Sequence, residues 1–170
     1  MTEWEHRLVM ADSQNRAGVL VAALRDTPDP AEKAKLLAGN FNICDALAPW
    51  RDELREQMEL SDFFTDADDG ETIKVPKFPR YVYRGAWEDD EAELALSWTT
   101  SQKQAEWFAS YLTSIRAAFL GIRREGVTPV VFRARCHEAF GYLNGRGEQE
   151  VVAKRLTSVT PILALQEVPA

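Results

Sequence analysis

The chain has only two cysteines, Cys44 and Cys136, far apart and among neutral neighbours. No disulfide framework or zinc spacing can be built from such a pair, so both read as buried thiols. Histidine is equally scarce: His6 and His137 lie far apart in sequence, and no metal site is expected. Basic runs are missing as well. Twenty Lys and Arg stand against 27 Asp and Glu, for a net charge of −7. Neutralising phosphates along a nucleic acid needs clustered cations, so a nucleic-acid binder is not expected. The acidic balance reads as solubility, and it would also suit a basic partner. No apolar run approaches the roughly 20 residues of a membrane span. The opening MTEWEHRLVMA lacks a basic segment followed by an apolar core, so no signal peptide is expected and the expected setting is cytoplasmic.

What is present is ordinary globular material. With 45% hydrophobic and 28% charged residues in 170, the chain can build one core with a small helical extension. The first 70 residues read as helical. NRAGVLVAALRD is an apolar-rich helix ended by TPDP, where Asp29 caps the next helix, Pro30 takes its first position and Glu32 completes a capping box. That helix, AEKAKLLAGN, ends in Gly39-Asn40, which suits a left-handed cap. A third helix begins near Pro49 and runs through WRDELREQMEL. SDFFTDADDGET then reads as a turn-rich boundary.

From residue 71 onward the texture is β-rich. TIKV and RYVYRG, separated by PKFP, read as short strands, and LSWTTS as a third, with Thr100 or Ser101 capping the helix that follows. In that helix Ala105, Phe108, Ala109, Leu112, Ile115 and Phe119 form one apolar stripe. TPVVFRARC alternates, with Phe132, Ala134 and Cys136 on one face and Arg133 and Arg135 on the other. EQEVVAK and TPILALQEV read as two more strands. With one long helix among the strands, a doubly wound parallel sheet is disfavoured. The expected class is α+β, with residues 1–70 as an N-terminal helical part and 71–170 as the β-rich core.

Three groups of residues could carry chemistry. Glu148 and Glu150 stand at a strand's leading edge, behind a glycine-flanked loop and ahead of an apolar VV. Carboxylates there would also serve a solvated edge strand that resists aggregation. Arg84 ends an apolar strand and offers a bidentate cation, while Gly85 leaves its backbone open to a ligand. A surface arginine before a turn glycine is the plainer alternative. Ser97 and Thr99 share one face of an extended segment, where hydroxyls can orient a carboxylate or a ribose, or simply end the strand.

Taken in order, Arg84 in YRG, Ser97 and Thr99 in SWT, and Glu148 and Glu150 in EQE resemble the arginine–serine–glutamate class of ADP-ribosyltransferases. The resemblance covers about residues 72–170. Trp98 stands where many relatives carry threonine. It implies a split β-sheet core that grips NAD in a cleft, with no metal. On that resemblance Arg84 would bind NAD phosphate and Gly85 would meet the nicotinamide amide through its backbone. Ser97 would hold the nicotinamide ribose and the catalytic glutamate in place, and Thr99 would join the NAD-binding residues. Glu150 would stabilise the oxocarbenium-like transition state as nicotinamide leaves, and Glu148 would orient or deprotonate the acceptor. A glutamate at the upstream position marks arginine on a target protein as the expected acceptor. AFGYLNGRG would be the target-recognition loop, with Phe140 or Tyr142 stacking on the partner, and Trp87 and Trp98 would flank the cleft. Two other readings stay open: an NAD glycohydrolase using the same site, and a non-catalytic protein-binding module.

Overall fold

The computed structural model describes residues 2–45, 47–66, 73–145 and 147–165. They form an α+β fold whose chain divides into two compact units, Met1–Lys74 with Phe140–Gly145, and Val75–Ala139 with Arg146–Ala170.

The first unit is mostly helical: α1 (Glu3–Met10), α2 (Arg16–Asp26), α3 (Pro30–Asn40) and α4 (Arg51–Glu59). Its core includes Leu20, Leu24, Leu37, Phe41, Leu54 and Met58, all buried. Asp29 caps α3 by accepting from the Glu32 amide at 2.9 Å, as its position before Pro30 suggested. The Glu32 side chain, expected to close the box, pairs with Lys35 at 2.5 Å instead. No left-handed cap forms at Gly39-Asn40. Asn40 donates back to the Leu36 carbonyl at 2.9 Å, and the chain passes helically into buried Phe41, whose φ is −60°. A single 3-10 turn, Ala48–Trp50, precedes α4.

The expected boundary SDFFTDADDGET contains β1 (Phe64–Thr65), with Phe64 buried, while 67–72 lie outside the described residues. β1 pairs in parallel with the end of β4 (Pro129–Leu143), Phe64 opposite Gly141. A Cβ on Gly141 would sit 2.6 Å from the Phe64 ring, so the close pairing needs glycine there. This pairing overturns the expected AFGYLNGRG loop. Its first five residues finish β4, with Phe140 and Tyr142 only 5% and 6% exposed and so not placed to stack on a partner. The turn that follows is held by Asp66, whose carboxylate accepts from the Asn144 amide at 2.7 Å and the Gly145 amide at 2.6 Å.

The second unit is built on β2 (Arg80–Trp87), β3 (Ser97–Thr99), the first part of β4 and β5 (Glu150–Ala164), with α5 (Gln102–Leu112) packed on β2. β2 runs antiparallel to β4 from Arg80 opposite Cys136 to Trp87 opposite Pro129. β3 runs antiparallel to both β2 and β5. Of the expected strand TIKV, Thr72 is outside the described residues, and residues 73–75 are not a strand but part of an irregular stretch that runs to β2. The two expected strands after residue 148 are one, β5, in which Ser158 takes a φ of 55°.

Ser101 caps α5, accepting from the Gln104 amide at 3.2 Å. The long apolar stripe expected from Ala105 to Phe119 is cut at Thr113-Ser114. The Thr113 hydroxyl donates to the Ser110 carbonyl, and the Ser114 hydroxyl caps a new short helix, α6 (Ile115–Phe119). Hydroxyl side chains offered the backbone a local alternative to continuing the helix. Ile115 and Phe119 consequently stand 89% and 88% exposed, whereas Ala105 and Ala109 are buried against Val131.

Candidate active site

The expected residues converge through strand pairing. β5 enters beside β3 with Glu150 opposite Thr99 and Val152 opposite Ser97, so Ser97 lies diagonal to Glu150. Across that diagonal the Ser97 hydroxyl donates to Glu150 Oε1 at 2.5 Å. Glu150 is buried, 8% exposed. On the other side, β3 meets β2 through one pair, Tyr83 opposite Thr99. Continuing that register would set Gly85 opposite Ser97. The Arg84 guanidinium takes the place of such a rung, its Nη1 donating to the Ser97 carbonyl at 2.7 Å.

Arg84 is a cation in confined surroundings. Its Nε is buried and has no hydrogen-bond partner among the described residues. Burial lowers its pKa from the ordinary arginine value, while the Asp90 and Glu150 carboxylates pull the other way. A guanidinium starts so high that it stays protonated. A desolvated cation with an unused donor suits an anion.

Gly85 has a structural duty. A Cβ there would fall 2.2 Å from the Ala105 carbonyl oxygen and 2.5 Å from the Ala109 amide nitrogen. The bare Cα therefore lets α5 lie directly on β2. Trp87 and Trp98, expected beside the cleft, are both buried, and Trp98 Nε1 donates to the Ala95 carbonyl at 3.0 Å.

The two glutamates are held differently. The strand begins at Glu150, and Gln149 before it has a φ of 50°, so Glu148 sits in a turn between Gly147 (φ 70°) and Gln149. That turn is fastened to β3. The buried Thr99 hydroxyl donates to the Glu148 carbonyl at 2.7 Å and accepts from the Ser101 amide at 3.1 Å. Thr100 donates its amide to the Gln149 carbonyl at 3.1 Å and its hydroxyl to Gln149 Oε1 at 2.8 Å. Sequence reasoning had no signal for Gln149 as part of this fastening, since its role depends on a positive φ.

It also missed the tether on the acidic run 88–93. Asp90 accepts from the Trp87 amide at 3.1 Å, and Arg124 pairs with Asp89 at 2.7 Å and Asp90 at 3.1 Å. Cys136 is buried, and burial pushes its thiol up to about 11, so it is no nucleophile near neutral pH. Among the described residues no group of three or more His, Cys, Asp or Glu is placed to hold a metal ion. No described helix is long and apolar enough to cross a membrane.

Compared with protein-family models, with curated proteins and with solved structures, the chain matches none.

Proposed function

We propose that the chain is a mono-ADP-ribosyltransferase of the arginine–serine–glutamate class, transferring ADP-ribose from NAD to a protein side chain, with arginine as the acceptor. The observation that carries this reading is the continuous link from Arg84 through Ser97 to Glu150. Residues 13 and 53 positions apart meet in the order and with the types that the resemblance requires. Breaking the bond between nicotinamide and ribose leaves positive charge on the sugar, and a fixed carboxylate is the group that stabilises it. Ser97 holds the Glu150 carboxylate through Oε1 and so orients it for the ribose. Arg84, with its buried donor, takes the phosphate. Glu148, in a separately fastened turn, serves the acceptor: a protonated guanidinium is a poor nucleophile, and a carboxylate base makes it a better one. The split sheet of that family is the fold this reading assigns to the second unit, in line with the single rung between β2 and β3.

The test mixes the purified protein with labelled NAD and a cell lysate, beside Glu150→Gln. Label on a discrete protein band, lost in the variant along with nicotinamide release, is the expected result. Nicotinamide release with no labelled protein in any lysate would replace transfer by NAD hydrolysis. Full NAD turnover by Glu150→Gln would refute the site altogether.

A further inference from the structure

Arg84 points away from α5, while the alternate residues of β2, Tyr81, Tyr83 and Gly85, share the face on which α5 packs. The helix covers Tyr83 and Gly85 but leaves Tyr81 45% exposed. Beside Tyr81 on this face stand two residues of β4: Arg135 directly opposite and Arg133 opposite Tyr83. Both guanidiniums lie over the Tyr81 ring, with Cζ at 4.7 Å for Arg133 and 5.2 Å for Arg135. Among the described residues neither arginine side chain makes a hydrogen bond or an ion pair. β2 contains no acidic residue, and the one acidic residue of β4, Glu138, is bonded to Arg155 at 3.0 Å.

Two cations gathered on one ring repel each other, and among the described residues neither is paired with a carboxylate. Stacking on the ring fixes both planar forks and leaves their N–H edges free to donate. We propose that Tyr81, Arg133 and Arg135 form a binding site for a phosphate monoester. A phosphate monoester carries about two negative charges near neutral pH, matching two guanidiniums, where a carboxylate carries one. The ligand is a phosphorylated side chain or a small phosphate, and the site stands whether or not the chain uses NAD.

The experiment is an NMR titration of the full chain with inorganic phosphate and with a phosphoserine peptide, at ionic strength held constant with chloride. The expected result is saturable shifts centred on Tyr81, Arg133 and Arg135. Affinity should fall at least about tenfold in Arg135→Gln and in Arg133→Gln, the scale of one lost charge-assisted contact. Arg155→Gln and Glu150→Gln should bind as the parent does, which separates this site from the NAD reading. Arg84→Gln should also leave these shifts in place, so they cannot come from phosphate at the other cation. If a glutamine variant does not fold, Arg135→Lys keeps the charge but loses the planar fork, and it should still weaken binding severalfold. Tighter binding of the phosphoserine peptide identifies a phosphorylated protein as the source, and equal or weaker binding identifies a small phosphate; either supports the site. Absence of saturable shifts at these residues, or equal affinity in both glutamine variants, overturns it.

Discussion

The Thr99 hydroxyl donates to the Glu148 carbonyl at 2.7 Å, while Thr99 itself stands opposite Glu150 in the β3–β5 ladder. One residue thus touches the segment that carries both glutamates, and it holds the upstream one by its backbone. Removing the hydroxyl as Thr99→Val should loosen the turn more than the strand. Transfer to protein is expected to fall about tenfold further than nicotinamide release, roughly the weight of one hydrogen bond to a positioned group. Parallel assays of the two products give the ratio. An unchanged ratio would remove Thr99 from acceptor positioning.

Ser97→Ala deletes the donor to Glu150 Oε1. The carboxylate stays buried but loses its fixed orientation, so the loss belongs in kcat more than in KM, about 10²-fold on the scale of one lost stabilising donor. Steady-state nicotinamide release measures both constants. A rise in KM with kcat intact would instead make Ser97 a binding residue only.

Gly85→Ala places a methyl group against the backbone of α5, at 2.2 Å and 2.5 Å from Ala105 and Ala109 atoms. Backbone cannot step aside as a side-chain tip can, and the cost should be about 3 kcal/mol or more. For a chain of this size that lowers Tm by roughly 6–12 °C. A thermal melt unchanged by the substitution would show that α5 does not press on Gly85.

Lys33 is buried between helices, donating to the Leu24 carbonyl and, at 2.5 Å, to Gln57 Oε1. Burial lowers its pKa from 10.5. The folded chain therefore releases this proton before the unfolded chain does. The charged form costs stability at neutral pH, and the cost is relieved as pH rises through the lowered pKa towards 10.5. The urea midpoint of the parent should rise relative to that of Lys33→Met as pH is raised from about 7 to about 10. A parent-minus-variant difference that stays flat or falls over that range contradicts the shift.

Local chemistry was the most legible part of the chain. Asp29 before Pro30 and the Thr100-Ser101 pair before α5 announced helix starts, and the alternation in TPVVFRARC gave the two faces of β4. The order of arginine, serine and glutamate along the chain was legible too, although the bonds joining them depend on which strands pair. Features decided by distant partners were not. Gly85 read as room for a ligand because a bare Cα does not say who approaches it, and the occupant is α5. Phe140 and Tyr142 read as loop residues because the partner that covers this stretch, Phe64, lies in a stretch that looked like a boundary. The stripe running on to Phe119 had the right period, but period alone does not weigh Ser114 as a cap.

The span between Ser97 and Glu150 sets a delay on the ribosome. The serine is made 53 residues before the carboxylate it holds. At about 5–20 residues per second, that is roughly three to ten seconds of elongation. Throughout that interval the growing chain has its arginine and hydroxyl but no carboxylate to join, so the link from Arg84 through Ser97 to Glu150 closes in one late event, when the strand beginning at Glu150 settles beside β3.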